Sequence, residues 1–225
     1  MKRNMSKVFF EILNEKEKKV LLNLKPYFEK KGLLSGGTAL MLQNPVRKSY
    51  DFDLFFPYEI PDNFLRNASK IFKSDIKVLI NNSDELTFIA RKDIKISFIY
   101  FPFSRKYEPV IKDLVSLSSF KDIASDKAYA IGRRPEYRDY VDLFIILKEG
   151  FKIEQTILDA RQKFNGEFSE KLFLSQIVYF EDIKDFSVDF IKENYRVEEI
   201  KDFFKKEVYK LQSKIMPGLI NGTVS

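Results

Sequence analysis

The stretch Arg47-Lys48-Ser49-Tyr50-Asp51-Phe52-Asp53-Leu54-Phe55-Phe56 decides the fold. From Tyr50 to Phe56 it alternates, with Tyr50, Phe52, Leu54 and Phe56 on one side and Asp51, Asp53 and Phe55 on the other, the pattern of a half-buried strand. Ser49 and both carboxylates then share one face, and the carboxylates lie about 7 Å apart at their backbone positions. Two neighbouring carboxylates repel when ionised, so the arrangement suits Mg²⁺ or Mn²⁺ better than it suits stability alone. An ordinary solvent-facing strand side is the competing reading of these few residues.

Just upstream lies Leu33-Leu34-Ser35-Gly36-Gly37-Thr38-Ala39-Leu40-Met41-Leu42, which reads as a glycine turn and a short helix with Thr38 near its start and Asn44-Pro45 at its end. Glycines let a backbone approach phosphates, and free amides at a helix start attract anions. A plain turn with an N-cap explains the same residues when they stand alone. Further upstream, from Ser6 to about Lys31, apolar residues recur at helical spacing, and Pro26 marks a kink or break. Downstream, 61–73 reads as a helix, while 76–80, 86–91 and 94–101 read as strands joined by turns at 81–84 and 92–93, giving a small antiparallel sheet.

The character changes after Pro109. A short apolar piece at 114–117 leads to helical periodicity over 120–134, 137–147, 151–164, 170–180 and 197–211, punctuated by Pro135, Gly150 and Asn165-Gly166. The expected organisation is a mixed helix-and-sheet half over 1–108 and a helical half over 109–225. The tail 217–225 is expected to be loosely held.

Composition narrows the chemistry. The 225 residues are 44% hydrophobic and 15% aromatic, enough for a sizeable core, and contain no His and no Cys. That excludes histidine acid/base catalysis, catalytic triads, thiol chemistry, disulfides and ordinary zinc sites. What remains is Asp, Glu, Lys, Arg, Ser, Thr, Tyr, or a metal held by oxygens. A net charge of +6, from 39 basic and 33 acidic residues, modestly favours a polyanionic partner. No signal-peptide region follows the basic start, and no run reaches the ~18 apolar residues of a membrane span. No membrane association and a cytoplasmic location are expected.

A third motif is Asp126-Lys127-x-x-Ala130-x-x-Arg133-Arg134-x-x-x-Arg138-Asp139-x-x-Asp142. On a helix Lys127 and Arg134 share a face and could present two cations to a triphosphate, whereas Arg138 and Asp142, four apart, suggest an exposed ion pair. By itself such a segment reads as a solvated charged face. The Pro135 break marks a shaped junction between two helix ends.

Taken in order, Gly36 to Leu40, Arg47 to Phe55, Lys127 to Arg134 and Arg138 to Leu143 resemble the AbiEii/AbiGii toxin family of the nucleotidyltransferase superfamily, over roughly 30–145. The resemblance implies an α+β nucleotidyltransferase-like fold: a mixed sheet flanked by helices, then a helical half packed against it that contributes Lys127 and Asp139 to the site. It implies that Asp51 and Asp53 hold Mg²⁺ or Mn²⁺, that Gly36, Gly37, Thr38, Arg47 and Ser49 form the nucleotide cradle, and that Lys127 neutralises phosphate charge. Asp139 would act near the nucleotide or acceptor, with Arg134 and Arg138 as weaker phosphate contacts. The implied activity moves a nucleoside monophosphate from an NTP to an acceptor, tRNA by expectation, and the implied partner is a cognate antitoxin.

One departure stands out. The superfamily often carries a third carboxylate on a neighbouring strand, where Ser97 stands here, and Asp93 shares that face but sits at a turn. One metal suffices, Asp139 completes the site, or activity is impaired. A catalytically silent nucleotide- or RNA-binding module and, less in keeping with the upstream glycines, a metal-dependent sugar transferase are the alternatives.

Overall fold

The computed structural model describes residues 7–73 and 76–215. The expected tail 217–225 and the start of the first expected helix at Ser6 lie outside the described residues. The chain divides into two compact units, one of 1–123 with 189–192, the other of 124–188 with 193–225. The expected division at 108 falls inside the first unit, because the segment after Pro109 adds strands to the sheet.

In the first unit a 3-10 turn, Phe10–Ile12, precedes α1 (Glu15–Asn23). Asn14 and Glu17 cap α1 reciprocally, each side chain bonding the other's backbone N–H. Pro26 opens a separate short helix, α2 (Lys25–Phe28), where a missing N–H costs nothing. Next come β1 (Leu33–Ser35), α3 (Gly36–Gln43), β2 (Phe52–Phe56) and α4 (Asn63–Phe72). Three strands follow, β3 (Ile76–Asn81), β4 (Glu85–Ala90) and β5 (Ile94–Tyr100), then a hairpin of β6 (Val110–Lys112) and β7 (Val115–Leu117). Its two-residue loop, Asp113-Leu114, has both residues at positive φ, as tight hairpin turns require.

The seven strands form one sheet in the order β3-β4-β5-β2-β1-β7-β6. The sheet is mixed, not purely antiparallel as its local turns suggest: β2 runs parallel to β5, and β1 parallel to β7. Both parallel pairings arise over connections long enough to cross the sheet. One face of the sheet carries the core. Phe52, Phe56, Phe88 and Phe98 are fully buried there with Tyr27 of α2 and Phe64 and Phe72 of α4. Tyr27 packs 4.3 Å from Phe98 and 5.2 Å from Phe64, ring to ring, and its hydroxyl donates to the Phe64 carbonyl. Aromatic rings tilted in this way add to what their buried area contributes. With this face sealed by helices, the alternate residues of β2 turn to the other face.

The second unit is helical. It holds most of α5 (Phe120–Ile131), then α6 (Tyr137–Lys148), α7 (Ile153–Phe164), α8 (Glu170–Gln176) and α9 (Val197–Ile215). Ten of the twelve α6 residues are buried, so this helix is its centre. Tyr140 of α6 packs against Phe180 and Phe204, and Phe144 against Phe203. No described helix is long and apolar enough to cross a membrane.

Candidate functional site

The first-unit site begins where β1 ends. Ser35 stands directly opposite Asp53 in the antiparallel β1–β2 pair, and the chain turns at Gly36, φ +65°, into α3. A left-handed φ at that point favours glycine, and the space is tight as well: a Cβ on Gly36 would lie 3.1 Å from Asp53 Oδ2. A Cβ on Gly37 would lie 2.5 Å from Arg47 Nη2 and 2.8 Å from Ser49 Oγ. The bare backbone at the start of α3 is therefore ringed by Arg47, Ser49 and Asp53. The Thr38 hydroxyl donates to the Asp51 carbonyl and lies 3.0 Å from Ser49 Oγ, which ties the first turn of α3 to the residues leading into β2. Gly36, Gly37, Thr38, Arg47, Ser49, Asp51 and Asp53 thus come together.

Arg47 is buried, and its guanidinium donates to the Lys48 carbonyl at 2.7 Å. Its segment is held by a returning stretch of chain. Arg47 bridges Phe190, the Lys48 N–H donates to the Asp189 carbonyl, and the Tyr50 hydroxyl donates to the Asp189 carboxylate at 2.6 Å.

β5 supplies the neighbouring column. Asp53 pairs with Ser97 in parallel register, which puts Ser97 beside the aspartate, at the position expected for a third carboxylate. Ser97 is buried, 2.9 Å from Thr87 Oγ1, and the Thr87 hydroxyl donates to Glu85. Asp93 stands at the turn and pairs with Lys16. Sequence reasoning missed Lys95, two residues before Ser97 on the same face, whose ammonium lies 2.9 Å from Asp51 Oδ2. Strand alternation alone places Lys95 on that face. Among the described residues no group of three or more acidic side chains could hold a metal. Two carboxylates and a bare backbone nevertheless fit a magnesium ion that takes its remaining ligands from water and substrate phosphates, its usual manner of binding.

The third motif lies in the second unit and is not a solvated charged face. Lys127 is buried, with its ammonium 2.6 Å from Asp139 Oδ1 and 2.7 Å from Asp142 Oδ2. Arg134 closes on Asp139 from outside, Nε to Oδ2 at 2.9 Å. Burial alone would raise the Asp139 pKa, but Lys127 and Arg134 outweigh it and hold the carboxyl below its ordinary value. Asp142 therefore serves Lys127, and the expected Arg138–Asp142 pair is replaced by exposed Arg138 near Glu136. Asp126 pairs with Lys163.

Comparison with known proteins settles the class. The profile of the family described as nucleotidyl transferase AbiEii toxin, type IV toxin-antitoxin system, matches residues 21–217. The chain belongs to the AbiEii family. An uncharacterized protein of Aquifex aeolicus strain VF5 is 33% identical to it over 180 residues, covering 78% of this chain and 85% of that protein. Two solved structures share the fold. JHP933 of Helicobacter pylori is 16% identical with a TM-score of 0.54, over 91% of this chain and 97% of that one. The nucleotidyltransferase toxin MenT4 of Mycobacterium tuberculosis H37Rv is 14% identical with a TM-score of 0.54, over 86% and 82%. This AbiEii protein is a nucleotidyltransferase of the toxin type with the expected α+β fold. The silent binding module and the sugar transferase are set aside. Family membership implies a nucleotide substrate and an antitoxin partner.

Proposed function

We propose that this AbiEii protein transfers a nucleoside monophosphate from an NTP to a nucleic acid acceptor, tRNA being the first to test, with Asp51 and Asp53 as the reaction centre. The carrying observation is the convergence of the Gly36-Gly37 backbone, Arg47, Ser49 and the Asp53 carboxylate at the start of α3 and β2, with the Asp51 backbone tied to the same turn through Thr38. In this reading the two carboxylates hold Mg²⁺ or Mn²⁺, which when bound neutralises phosphate charge and lowers the pKa of the attacking hydroxyl. The Gly36 and Gly37 amides, Thr38, Arg47 and Ser49 hold the triphosphate, where the absence of side-chain bulk lets phosphate oxygens reach the backbone. The acceptor oxygen bonds to the α-phosphorus, the bond from that phosphorus to the bridging oxygen breaks, and pyrophosphate leaves. The hydroxyl proton passes to a carboxylate of the pair.

Lys127 and Asp139 are proposed as the catalytic pair of the second unit. Asp139 and Asp142 fix the Lys127 ammonium in one place. Arg134 and Arg138 are proposed as phosphate contacts, and both are exposed enough to serve.

The test is transfer of label from each α-labelled NTP to total tRNA in Mg²⁺, compared with Asp51→Asn and Asp53→Asn. Each substitution is expected to lower the rate at least ~100-fold, in line with loss of a preorganised electrostatic group. Undiminished labelling by both variants would remove the site from these residues.

A further inference from the structure

Asp53, two residues after Asp51, shares its face of β2 with Phe55, about 7 Å further along the strand. Phe55 stacks on Phe101 with centroids 4.7 Å apart and planes 26° apart, and Phe101 meets Phe103 edge-on at 5.1 Å. The Arg105 guanidinium lies over two of these rings, 4.5 Å from the Phe101 centroid and 5.3 Å from that of Phe55. These are not core residues. Phe52, Phe56, Phe88 and Phe98 on the opposite face are fully buried, whereas Phe55, Phe101, Phe103 and Arg105 are only half-buried. They line a cavity of about 300 Å³, with Lys31 also at its wall.

Phenylalanine faces and a guanidinium plane are the surfaces on which unpaired bases stack, and both Arg105 and Lys31 suit a ligand that carries phosphates. The volume is at the lower end for a ligand pocket and takes a flat ring system. Order along β2 decides which base enters. The Gly36-Gly37 backbone, Arg47 and Ser49 lie toward the start of the strand, the carboxylates follow, and Phe55 lies beyond them. Phosphoryl transfer places the attacking and leaving oxygens in line on opposite sides of the phosphorus. With pyrophosphate leaving on the Arg47 and Ser49 side, the attacking hydroxyl arrives from the Phe55 side.

We infer that the Phe55–Phe101–Phe103–Arg105 pocket receives the terminal nucleobase of the nucleic acid acceptor, an inference that rests on the transfer site proposed above. Stacking is tolerant of base identity, so the pocket recognises an unpaired end more than a sequence.

The probe is a fluorescein-labelled ten-nucleotide single-stranded RNA, compared by fluorescence anisotropy with the same RNA lacking only its 3′-terminal base. The full-length protein is expected to bind the intact RNA roughly tenfold more tightly, the size of one stacking contact. In Phe55→Leu and Phe101→Leu that preference should shrink toward unity, while Mg²⁺-NTP affinity, measured calorimetrically without RNA, stays within about twofold. Equal binding of the two RNAs by the unsubstituted protein overturns the inference, whether or not the variants fold. So does a Leu variant that loses NTP affinity and keeps the base preference, which would assign the pocket to the nucleotide's own base. Asp53→Asn separates the two readings: it should abolish transfer and keep the base preference, so a failed transfer site and a failed base pocket give different results.

Discussion

Lys95 holds the carboxylate that the proposed metal needs. Its ammonium lies 2.9 Å from Asp51 Oδ2, and both side chains are partly exposed, so the pair is worth no more than about 1 kcal/mol and opens readily. A divalent ion at Asp51 competes with it. Lys95→Met is therefore expected to tighten Mn²⁺ binding, read calorimetrically in the absence of nucleotide, by roughly threefold, and unchanged affinity would separate Lys95 from the metal. Gly37 tests the cradle from its other side. A methyl group there meets the far ends of Arg47 and Ser49, which can move, so Gly37→Ala should fold normally yet bind Mg²⁺-NTP about tenfold more weakly as the guanidinium is displaced. The glycines, Arg47, Ser49 and the aspartates were legible because each motif is local. Lys95 was not, since alternation gives its face and nothing local says that β5 lies beside β2.

Pairing over distance also explains what could be read of the elements. The strands β3, β4 and β5 were legible because short turns join them and their residues alternate. β1 and the β6–β7 hairpin are three residues long per strand, too short for a period to show against the helix that follows each. The parallel contacts of β2 with β5 and of β1 with β7 leave no mark on either partner's own sequence. Helical periodicity located α5 and α6 closely, but only their packing shows that Lys127, Asp139 and Asp142 face inward. That junction carries a prediction of its own. Lys127→Met leaves Asp139 and Asp142 buried without their shared cation, and should destabilise the protein by about 3 kcal/mol in denaturant unfolding. Arg134→Gln, at an exposed side chain, should cost less than about 1 kcal/mol.

At the scale of the whole molecule the missing histidine sets the response to pH. No His or Cys side chain exists to titrate near neutrality. The carboxyls of Asp139 and Glu154 are held below their ordinary values, Asp139 by the cations that outweigh its burial and Glu154 chiefly by its hydrogen bond with Lys214. A depressed carboxyl stabilises the fold above its unfolded pKa, and that contribution is lost as pH falls through the folded value. Melting temperature should accordingly stay flat from about pH 6 to 8 and decline below about pH 4, and Asp139→Asn should shrink the acid decline. A melting temperature that changed steeply around pH 6.5 would contradict this account. Finally, residues 189–192 return to the first unit and hold the Arg47-to-Tyr50 segment that leads into the carboxylate strand. One crossover between related genes, placed anywhere from codon 124 to codon 188, therefore gives a chimera whose Arg47-to-Tyr50 segment rests on a foreign strap, so exchange of either unit as an independent module takes several crossovers, and the lineage is expected to inherit both as a single block.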